Sequence, residues 1–190
     1  MRPPYEILKP KRKEAKELQI RTRMCMSLDG YVTTPEGWPA QLADPAWSPE
    51  AFGFVEFQAS CDAVLMGRTT FEPALGADEW PWGDLDVFVL GSRRPADTPD
   101  HVVVDSNPEQ LLEKVRASNH GGDVHLVGGP RTIETFRSLG ALDELGLIVL
   151  PLLLGGGMQL TPSVSTDTRL TLERQRALRT GALEIVYACA

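Results

Sequence analysis

Short apolar runs alternate with amphipathic segments along most of this 190-residue chain. Short runs rich in valine, leucine and isoleucine are typical of strands that are buried on both faces. We predict such strands at RTRMCMSLDG, DAVLMG, LDVFVLGS, HVVVD, DVHLVGG and ELGLIVLPLLLGGG. Helices are predicted between them at SPEAFGFVEFQAS, RTTFEPALG, NPEQLLEKVRAS and PRTIETFRSLG.

Several residues mark where the predicted helices begin and end. Ser48 and Asn107 are predicted N-caps, and each is followed by a proline at the first helical position. Gly140 is predicted to close the last helix. The segments TRLTLERQRAL and ALEIVYACA are predicted to form an antiparallel hairpin. We therefore predict an α/β fold, a three-layer domain with a mixed, mostly parallel sheet and a C-terminal antiparallel hairpin.

The charge of the chain is unevenly distributed. The net charge is −7, but residues 1–24 hold eight Lys or Arg and three Glu, so the rest of the chain carries −12. Such an acidic body argues against a nucleic-acid-binding surface. We divide the chain into a basic N-terminal arm, residues 1–19, and a domain, residues 20–190. The arm is expected to be a solvated tail, a candidate for disorder, or an extension leading into the first strand.

The composition also indicates the cellular compartment and whether the chain has a metal site or a membrane-spanning segment. The three cysteines, Cys25, Cys61 and Cys189, are far apart and form no CxxC motif, which favours a reducing, cytoplasmic setting. The three histidines lack the spacing of a zinc hydrolase, so no metal site is expected. The longest apolar run, residues 145–155, is too short for a membrane helix, and no signal peptide is recognised.

Three predicted strands end in glycine, and an arginine follows each within three residues. These glycines are Gly67, Gly91 and the pair at 128–129. In an open α/β sheet, ligands bind beyond the carboxyl ends of the strands, where helix N-termini attract anions. The three turns, together with the Ser92-Arg93-Arg94 loop, therefore suggest a polyphosphate site. The alternative is that each glycine serves only a tight turn. No Walker A or GxGxxG motif is present.

Two other segments are candidates for the site. Asp29 follows the first strand, where it is either part of an Asp-Gly turn or a carboxylate at the rim of the sheet that anchors or protonates a substrate. The glycines in LLLGGG, residues 152–157, permit either a bulge or a flat ligand against the backbone.

The ordered set MSLDGYV, DAVLMGRTTFE, VFVLGS, HLVGGPRTIETF and LGALDELGLIVLPLLLGGG resembles one known family over about residues 20–189. It is the reductase family that includes the C-terminal domain of the bacterial riboflavin-biosynthesis deaminase-reductase and shares the dihydrofolate reductase fold. No zinc deaminase signature is present, so the resemblance is to a stand-alone member.

The resemblance implies that NADPH lies across the strand ends. Its first phosphate turn would be Gly67 to Thr69, and Ser92 and Arg93 would meet the 2′-phosphate. The substrate and nicotinamide would lie beside Asp29, the expected catalytic residue. The other implied cofactor residues are Gly30, Val32, Val127, Gly128, Gly129, Pro130, Arg131, Thr132, Leu154, Gly155 and Gly156, with Arg68 inside the first turn.

The function expected from the resemblance is an NADPH-dependent reductase that transfers hydride to a C=N or C=O bond of a small heterocyclic or sugar-like substrate. One alternative is a dihydrofolate reductase, which would need a carboxylate such as Glu50 or Glu56 on the first helix. Others are a non-catalytic nucleotide-binding protein and an anion-binding module that uses the basic arm. A homodimer is expected from the resemblance and from the long apolar strand beside a terminal hairpin.

Overall fold

The computed structural model describes residues 18–118, 121–161 and 169–189. They form one eight-stranded sheet in the order β4-β3-β2-β5-β1-β6-β8-β7. The strands β1 to β6 run parallel, while β8 is antiparallel to both β6 and β7. Their bounds are β1 Ile20–Ser27, β2 Cys61–Gly67, β3 Asp86–Leu90, β4 Val103–Asp105, β5 Asp123–Gly128, β6 Glu144–Leu150, β7 Thr171–Ala177 and β8 Leu183–Ala188.

Helices and loops pack on both faces of this sheet, but they do not cover all of it. The helices are α1 Phe54–Gln58, α2 Arg68–Phe71, α3 Pro108–Ser118 and α4 Pro130–Ser138, with 3-10 turns at Ala40–Ala43 and Glu72–Gly76. On β2, Ala63 and Leu65 pack in the cluster that holds α3 and α4, while Val64 and Met66 pack with Phe71 of α2. Successive residues of a strand point to opposite faces, so these clusters lie on the two sides of the sheet. The predicted three-layer arrangement is confirmed.

Several predicted elements are shorter than the sequence pattern suggested, and two of them have a clear physical reason. The helix predicted from Ser48 begins only at Phe54, because Gly53 adopts a left-handed conformation with φ +67° that interrupts it. Ser48 instead caps a turn, where its Oγ accepts a hydrogen bond from Ala51 N at 3.1 Å. The strand predicted through residue 157 ends at Leu150, because Pro151 has no N–H to donate to the ladder.

The remaining expectations on organisation have mixed outcomes. The terminal hairpin is confirmed as β7 and β8. Most of the basic arm, residues 1–17, lies outside the described residues. None of the helices in the described ranges is long and apolar enough to cross a bilayer. In the same part of the chain, no three His, Cys, Asp or Glu side chains are grouped as metal ligands would be.

Candidate functional site

A cleft of about 190 Å³ opens at the carboxyl ends of β1 and β5. Four of the predicted cofactor residues line it, namely Val32, Val127, Gly129 and Pro130. Other side chains complete its wall, among them Arg23, Cys25, Thr33, Gln41, Phe54, Thr70 and His125. The location matches the rule that ligands of open α/β sheets bind beyond the carboxyl ends of strands.

The two predicted phosphate turns are in contact beside this cleft. Gly67 ends β2 immediately before α2, and a side chain at this position would overlap the Thr132 hydroxyl of α4. Gly128 has φ +134°, and a Cβ there would lie 2.9 Å from Met24 Cε. The glycines therefore allow two strand-to-helix turns to pack closely, and the structure brings the 67–69 and 128–132 segments together.

Glu72 is an acidic neighbour of the cationic turn that the sequence analysis missed. Arg68 Nη1 donates a hydrogen bond to Glu72 Oε1 at 2.6 Å, and Arg93 Nη2 lies 3.5 Å from the same oxygen. Arg93 is still 70% exposed. Arg94 has a different role from the one expected, because its guanidinium donates to the backbone carbonyls of Val102, Thr98 and Pro99. It therefore holds its own loop.

Asp29 ties the loop after β1 to the segment after β6. Its Oδ1 accepts hydrogen bonds from Ser27 Oγ at 2.6 Å and Leu154 N at 3.1 Å, and its Oδ2 accepts one from Gly155 N at 2.8 Å. The bonds from Ser27 and then Gly155 lower the pKa of Asp29 to about 2. A carboxylate held ionised in this way is a poor proton donor, so the geometry favours a bracing role over the expected protonation.

Residues 154–156, which were expected to line the ligand pocket, instead lie outside the cleft, where two of them are bonded to Asp29. Leu154 packs with the cluster around Phe52 and Ile148, and none of residues 154–156 is among those that line the cleft. Further bonds fasten the two segments, since Val32 N donates to Met158 O and Met158 N donates to Thr33 Oγ1, both at 2.8 Å. These contacts fix the rim of the cleft.

We expect Asp29→Asn to speed amide hydrogen exchange at Leu154 and Gly155, because a neutral amide accepts hydrogen bonds more weakly than a carboxylate. The pKa of Asp29 is lowered from 3.8 to about 2, so in the wild type the carboxylate contribution is complete above 3.8 and is lost as the pH falls through about 2. Amide hydrogen exchange at Leu154 and Gly155, followed over a pH series in the wild type and in Asp29→Asn, measures this contribution. The Met158 amide, bonded to Thr33, is the internal control. Unchanged exchange at both target amides would contradict the bracing role.

A buried ionic group lies under the cleft, and the sequence analysis did not identify it. Arg23 Nη1 donates to Glu184 Oε1 at 2.5 Å and its Nη2 donates to Phe52 O at 2.6 Å, while Arg176 Nε donates to the other oxygen of Glu184. Glu184 is 1% exposed and Arg23 is 6% exposed. The available signal was Arg21 and Arg23 at alternate positions of a predicted buried strand.

His125 lies near Arg23 on the neighbouring strand and is 3% exposed. Burial, together with the charges of Arg23 and Arg21, lowers its pKa to about 4, although the Arg23 backbone opposes the shift. The imidazole is therefore neutral at neutral pH. Burial also raises the pKa of Cys25 in the cleft to about 12, so it is a thiol. Cys25, Cys61 and Cys189, all of them described residues, form no disulfide.

Three of the four tryptophans pack against other side chains, while Trp38 is 64% exposed. Trp80 and Trp82 pack beside the cluster on β2 and β3, and Trp47 packs against Phe52 and Phe54. None of the described tryptophans lines the cleft.

Comparison with known proteins is informative for both family and fold. Residues 19–183 match the model of the RibD C-terminal domain. The uncharacterized protein YyaP of Bacillus subtilis (strain 168) is 28% identical over 184 residues, which are 90% of this chain and 95% of YyaP.

Solved structures resemble this chain in fold at lower identity. A Shewanella protein provisionally assigned to riboflavin biosynthesis is 23% identical with a TM-score of 0.77, covering 91% of this chain and 99% of that one. The Thermotoga maritima deaminase/5-amino-6-(5-phosphoribosylamino)uracil reductase is 14% identical with a TM-score of 0.66, covering 91% and 57%. The Schistosoma mansoni dihydrofolate reductase is 16% identical with a TM-score of 0.59, covering 91% and 99%.

These similarities confirm the dihydrofolate reductase-like fold and the resemblance inferred from the motifs. The family model spans most of the chain, including both glycine turns and the cleft between β1 and β5. The chain therefore belongs to the RibD C-terminal domain family.

Proposed function

We propose that the protein is an NADPH-dependent reductase that transfers hydride to a C=N or C=O bond of a small heterocyclic substrate. The observation that carries the proposal is the contact between the glycine turns at Gly67 and Thr132, beside a cleft at the strand ends. Family membership supports reductase chemistry. The similar deaminase-reductase and dihydrofolate reductase structures are named for reductase activity on heterocycles.

The residues of the cleft fit such a cofactor. A Cβ at Gly129 would lie 3.6 Å from Thr70 Oγ1, and both residues line the cleft, so glycine leaves space there for a ligand against the backbone. The N-terminus of α4 and the exposed Arg131 supply positive potential for the pyrophosphate. Ser92 and Arg93 are exposed, and Arg93 could exchange its weak surface ion pair with Glu72 for a 2′-phosphate.

NADPH, when bound, supplies the hydride, and the protein supplies position and environment. Val32, Val127 and Pro130 give the cleft apolar walls that exclude water from the transfer. A proton must also reach the reduced atom. At neutral pH, Asp29, with a pKa of about 2, is an ionised carboxylate, and His125, with a pKa of about 4, is a neutral imidazole. Neither is proposed as the acid.

The dihydrofolate reductase alternative is less well supported. Glu50 and Glu56, the carboxylates that it would need, line an outer hollow with Arg176 and Arg179. No Asp or Glu is found among the described residues that line the cleft.

A fluorescence titration with NADPH, followed by NADPH oxidation assays, tests the proposed function. The substrates are 5-amino-6-(5-phosphoribosylamino)uracil and dihydrofolate, with NADH as the comparison cofactor. We expect NADPH to bind and to be oxidised with the uracil compound or a related heterocycle. Binding without any oxidation would instead support a nucleotide-binding protein. Turnover of dihydrofolate alone would support the dihydrofolate reductase alternative, and absence of NADPH binding would overturn the proposal.

We also propose a homodimer formed through one face of the sheet. The helices α3 and α4 pack mainly on β2 to β5 and on the start of β1, so they leave most of the same face of β6, β8 and β7, and the end of β1, less covered. Most of the side chains there are apolar and partly exposed, and they are Met26, Leu145, Val149, Leu172, Leu183, Ile185 and Tyr187, with the uncharged Gln175 beside them. We call this set the β6–β8 face.

We propose that the β6–β8 face binds the same face of a second copy of the chain. Four strands about 4.8 Å apart span roughly 15 Å, which suits the core of an ordinary interface. The face carries no charged side chain among these residues, so its partner must be apolar too, as an identical face is in a two-fold dimer. Charged Arg174 and Arg176 of β7 pair with β8 positions on the opposite face.

We expect Leu183→Glu to convert a dimer into a monomer of about 21 kDa, because a dimer would bury two unpaired carboxylates. Leu183 is 38% exposed in the single chain, so its own fold should tolerate the change. Sedimentation at micromolar concentration measures the mass. Arg174→Glu, on the opposite face of the hairpin, is the matched control and should stay dimeric. A wild-type protein that sediments only as a monomer would contradict the dimer.

A further inference from the structure

Two leucines beyond the carboxyl end of the sheet are unusually exposed. Among the described residues, Leu153 and Leu28 are the most exposed large apolar side chains, at 75% and 66%. They lie on neighbouring segments, because Leu28 N donates to Leu152 O at 2.8 Å and so continues the pairing of β1 with β6 past the end of both strands. Contiguous exposed apolar side chains of this kind mark an interaction surface.

The segment after β6 directs Leu153 to the same side of the sheet as the β6–β8 face. Leu150, Leu152 and Leu154 all pack in one cluster on the opposite side of the sheet. The alternating residues Pro151 and Leu153 are both exposed, as expected for an extended segment whose successive side chains point in opposite directions. Leu153 therefore lies on the side of the β6–β8 face.

The alternation along β1 places Leu28 on that side as well. Cys25 packs in the cluster with Ile148, whereas Met24 packs on the other side of the sheet with the helices α3 and α4. Met26 belongs to the β6–β8 face, and Leu28 follows two positions later. The two exposed leucines thus extend the β6–β8 face beyond the strands.

This extension brings the face closer to the size of a stable interface. From Leu145 to Val149 the face is about 13 Å long, and with Leu153 it reaches about 26 Å. Pro151 makes the surface continuous, since its Cγ would lie 3.9 Å from a Cβ at Gly181 in the neighbouring hairpin. A standard interface buries about 800 Å² per partner, so the shorter patch is small for a dimer and the longer patch is a better match.

The charged groups nearest to this surface are directed away from it. The Asp29 carboxylate accepts hydrogen bonds from the amides of Leu154 and Gly155. Arg179, in the turn between β7 and β8, lines the outer hollow on the opposite side together with Glu50. The occupant of the surface must therefore be apolar over the same extent, as the same surface of a second copy is in a two-fold dimer.

The segment that carries Leu153 is bonded to the loop that lines the cleft. Two amides of this segment donate to Asp29. Further along, Met158 O accepts from Val32 N and Met158 N donates to Thr33 Oγ1, both at 2.8 Å. Val32 and Thr33 are residues of the cleft wall. A partner that restrains Leu153 therefore also restrains part of that wall.

We propose that the interface between two copies of the chain extends over Leu28 and Leu153, so that each copy stabilises the cleft wall of the other. Ligand binding in the cleft and dimerisation are then coupled. The coupling is reciprocal, since a dimer that binds NADPH more tightly than the monomer does must itself be strengthened by NADPH. This inference rests on the proposed dimer and, for its ligand, on the proposed cofactor.

Leu153→Ser tests the extended interface. The leucine is exposed in the single chain, so the fold should tolerate the change. We expect the dissociation constant of the dimer to rise about 10- to 100-fold, because a two-fold interface buries this side chain twice. Leu42→Ser is the matched control, since Leu42 is 57% exposed on the 3-10 turn outside this face, and it should dimerise like the wild type. Sedimentation over a concentration series measures each constant.

The coupling is tested on the wild type without any substitution. Amide hydrogen exchange at Leu154 and Gly155 is followed from dilute monomer to concentrated dimer, and we expect it to slow about fivefold or more in the dimer. The Gly91 amide, which is bonded to Asp105 O at 2.9 Å on the far side of the sheet, is the control and should not change. Fluorescence titration over the same concentrations should show NADPH binding about fivefold or more tightly to the dimer.

Any one of three results would overturn the inference. They are unchanged exchange at both amides on dimerisation, equal NADPH affinity of monomer and dimer, and a Leu153→Ser dimer as stable as that of Leu42→Ser. A wild type that stays monomeric would overturn the proposed dimer and this inference with it. Failure of NADPH to bind to either form would overturn the reductase proposal and the coupling to NADPH, while sedimentation and exchange, which need no cofactor, would still decide whether the interface covers Leu28 and Leu153.

Discussion

Glutamine in place of Glu184 should lower the free energy of unfolding by about 3–5 kcal/mol, the usual cost of breaking a buried ion pair. Glu184 is 1% exposed and accepts hydrogen bonds from both Arg23 and Arg176. The amide has nearly the same shape as the carboxylate, so packing is preserved while the charge is removed. Arg23 would then remain buried with no counterion.

Urea denaturation of the wild type and Glu184→Gln measures the difference, with Glu173→Gln on exposed β7 as the control. Burial opposes ionisation, but the bonds from Arg23 and Arg176 hold the pKa of Glu184 below its ordinary 4.5. The stabilisation is therefore complete above about 4.5 and is lost as the pH falls through the lower folded value. The difference in free energy of unfolding between the wild type and Glu184→Gln should therefore become smaller as the pH is lowered. A loss at neutral pH no larger than that of the control would contradict the ion-pair interpretation.

Alanine at Arg93 should weaken NADPH binding by about 10- to 150-fold and leave NADH binding nearly unchanged. A 2′-phosphate needs cationic donors, and a hydrogen bond to a charged group contributes about 1.5–3 kcal/mol. Arg93 is 70% exposed and lies 3.5 Å from Glu72, so it is placed to exchange a weak surface ion pair for a phosphate. Exposed ion pairs contribute little, which makes the exchange favourable.

Fluorescence titration with NADPH and with NADH measures both affinities, and two further variants serve as controls. Glu72→Gln removes the competing carboxylate and should not weaken NADPH binding. Arg179→Ala, an exposed arginine of the terminal hairpin, should leave both cofactors unaffected. Equal losses of NADPH and NADH in Arg93→Ala would mean that Arg93 serves the fold or the shared pyrophosphate. If Arg93→Ala binds both cofactors as tightly as the wild type does, the Ser92-Arg93-Arg94 loop is not part of the cofactor site.

The order of strands and helices was predictable because it depends on local signals. Buried parallel strands are apolar throughout, and glycine or proline marks where each one ends, as at Gly67 and Pro151. The position of the cleft followed from the same signals, since parallel strands deliver their carboxyl ends to one edge.

The buried ionic group under the cleft was not predictable, because it depends on contacts between distant residues. Arg23 and Glu184 are 161 positions apart, and nothing local marks them as partners. The role of Asp29 likewise depends on backbone N–H groups at Leu154 and Gly155, which any sequence provides. The contact between Arg68 and Glu72 could have been predicted from the sequence, because the two residues have the i,i+4 spacing of a helical ion pair.

The separation between Arg23 and Glu184 also determines when the cleft can be completed during synthesis. Arg23 lies on the first strand, but its counterion is on β8, so the chain must extend past residue 184 before this charge is neutralised. A nascent chain holding only β1 to β6 would carry an uncompensated arginine one strand in from the edge of its sheet. The glycine turns at Gly67 and Gly128 can form before that point, so the ionic group under the cleft is the last part of the candidate site to be completed.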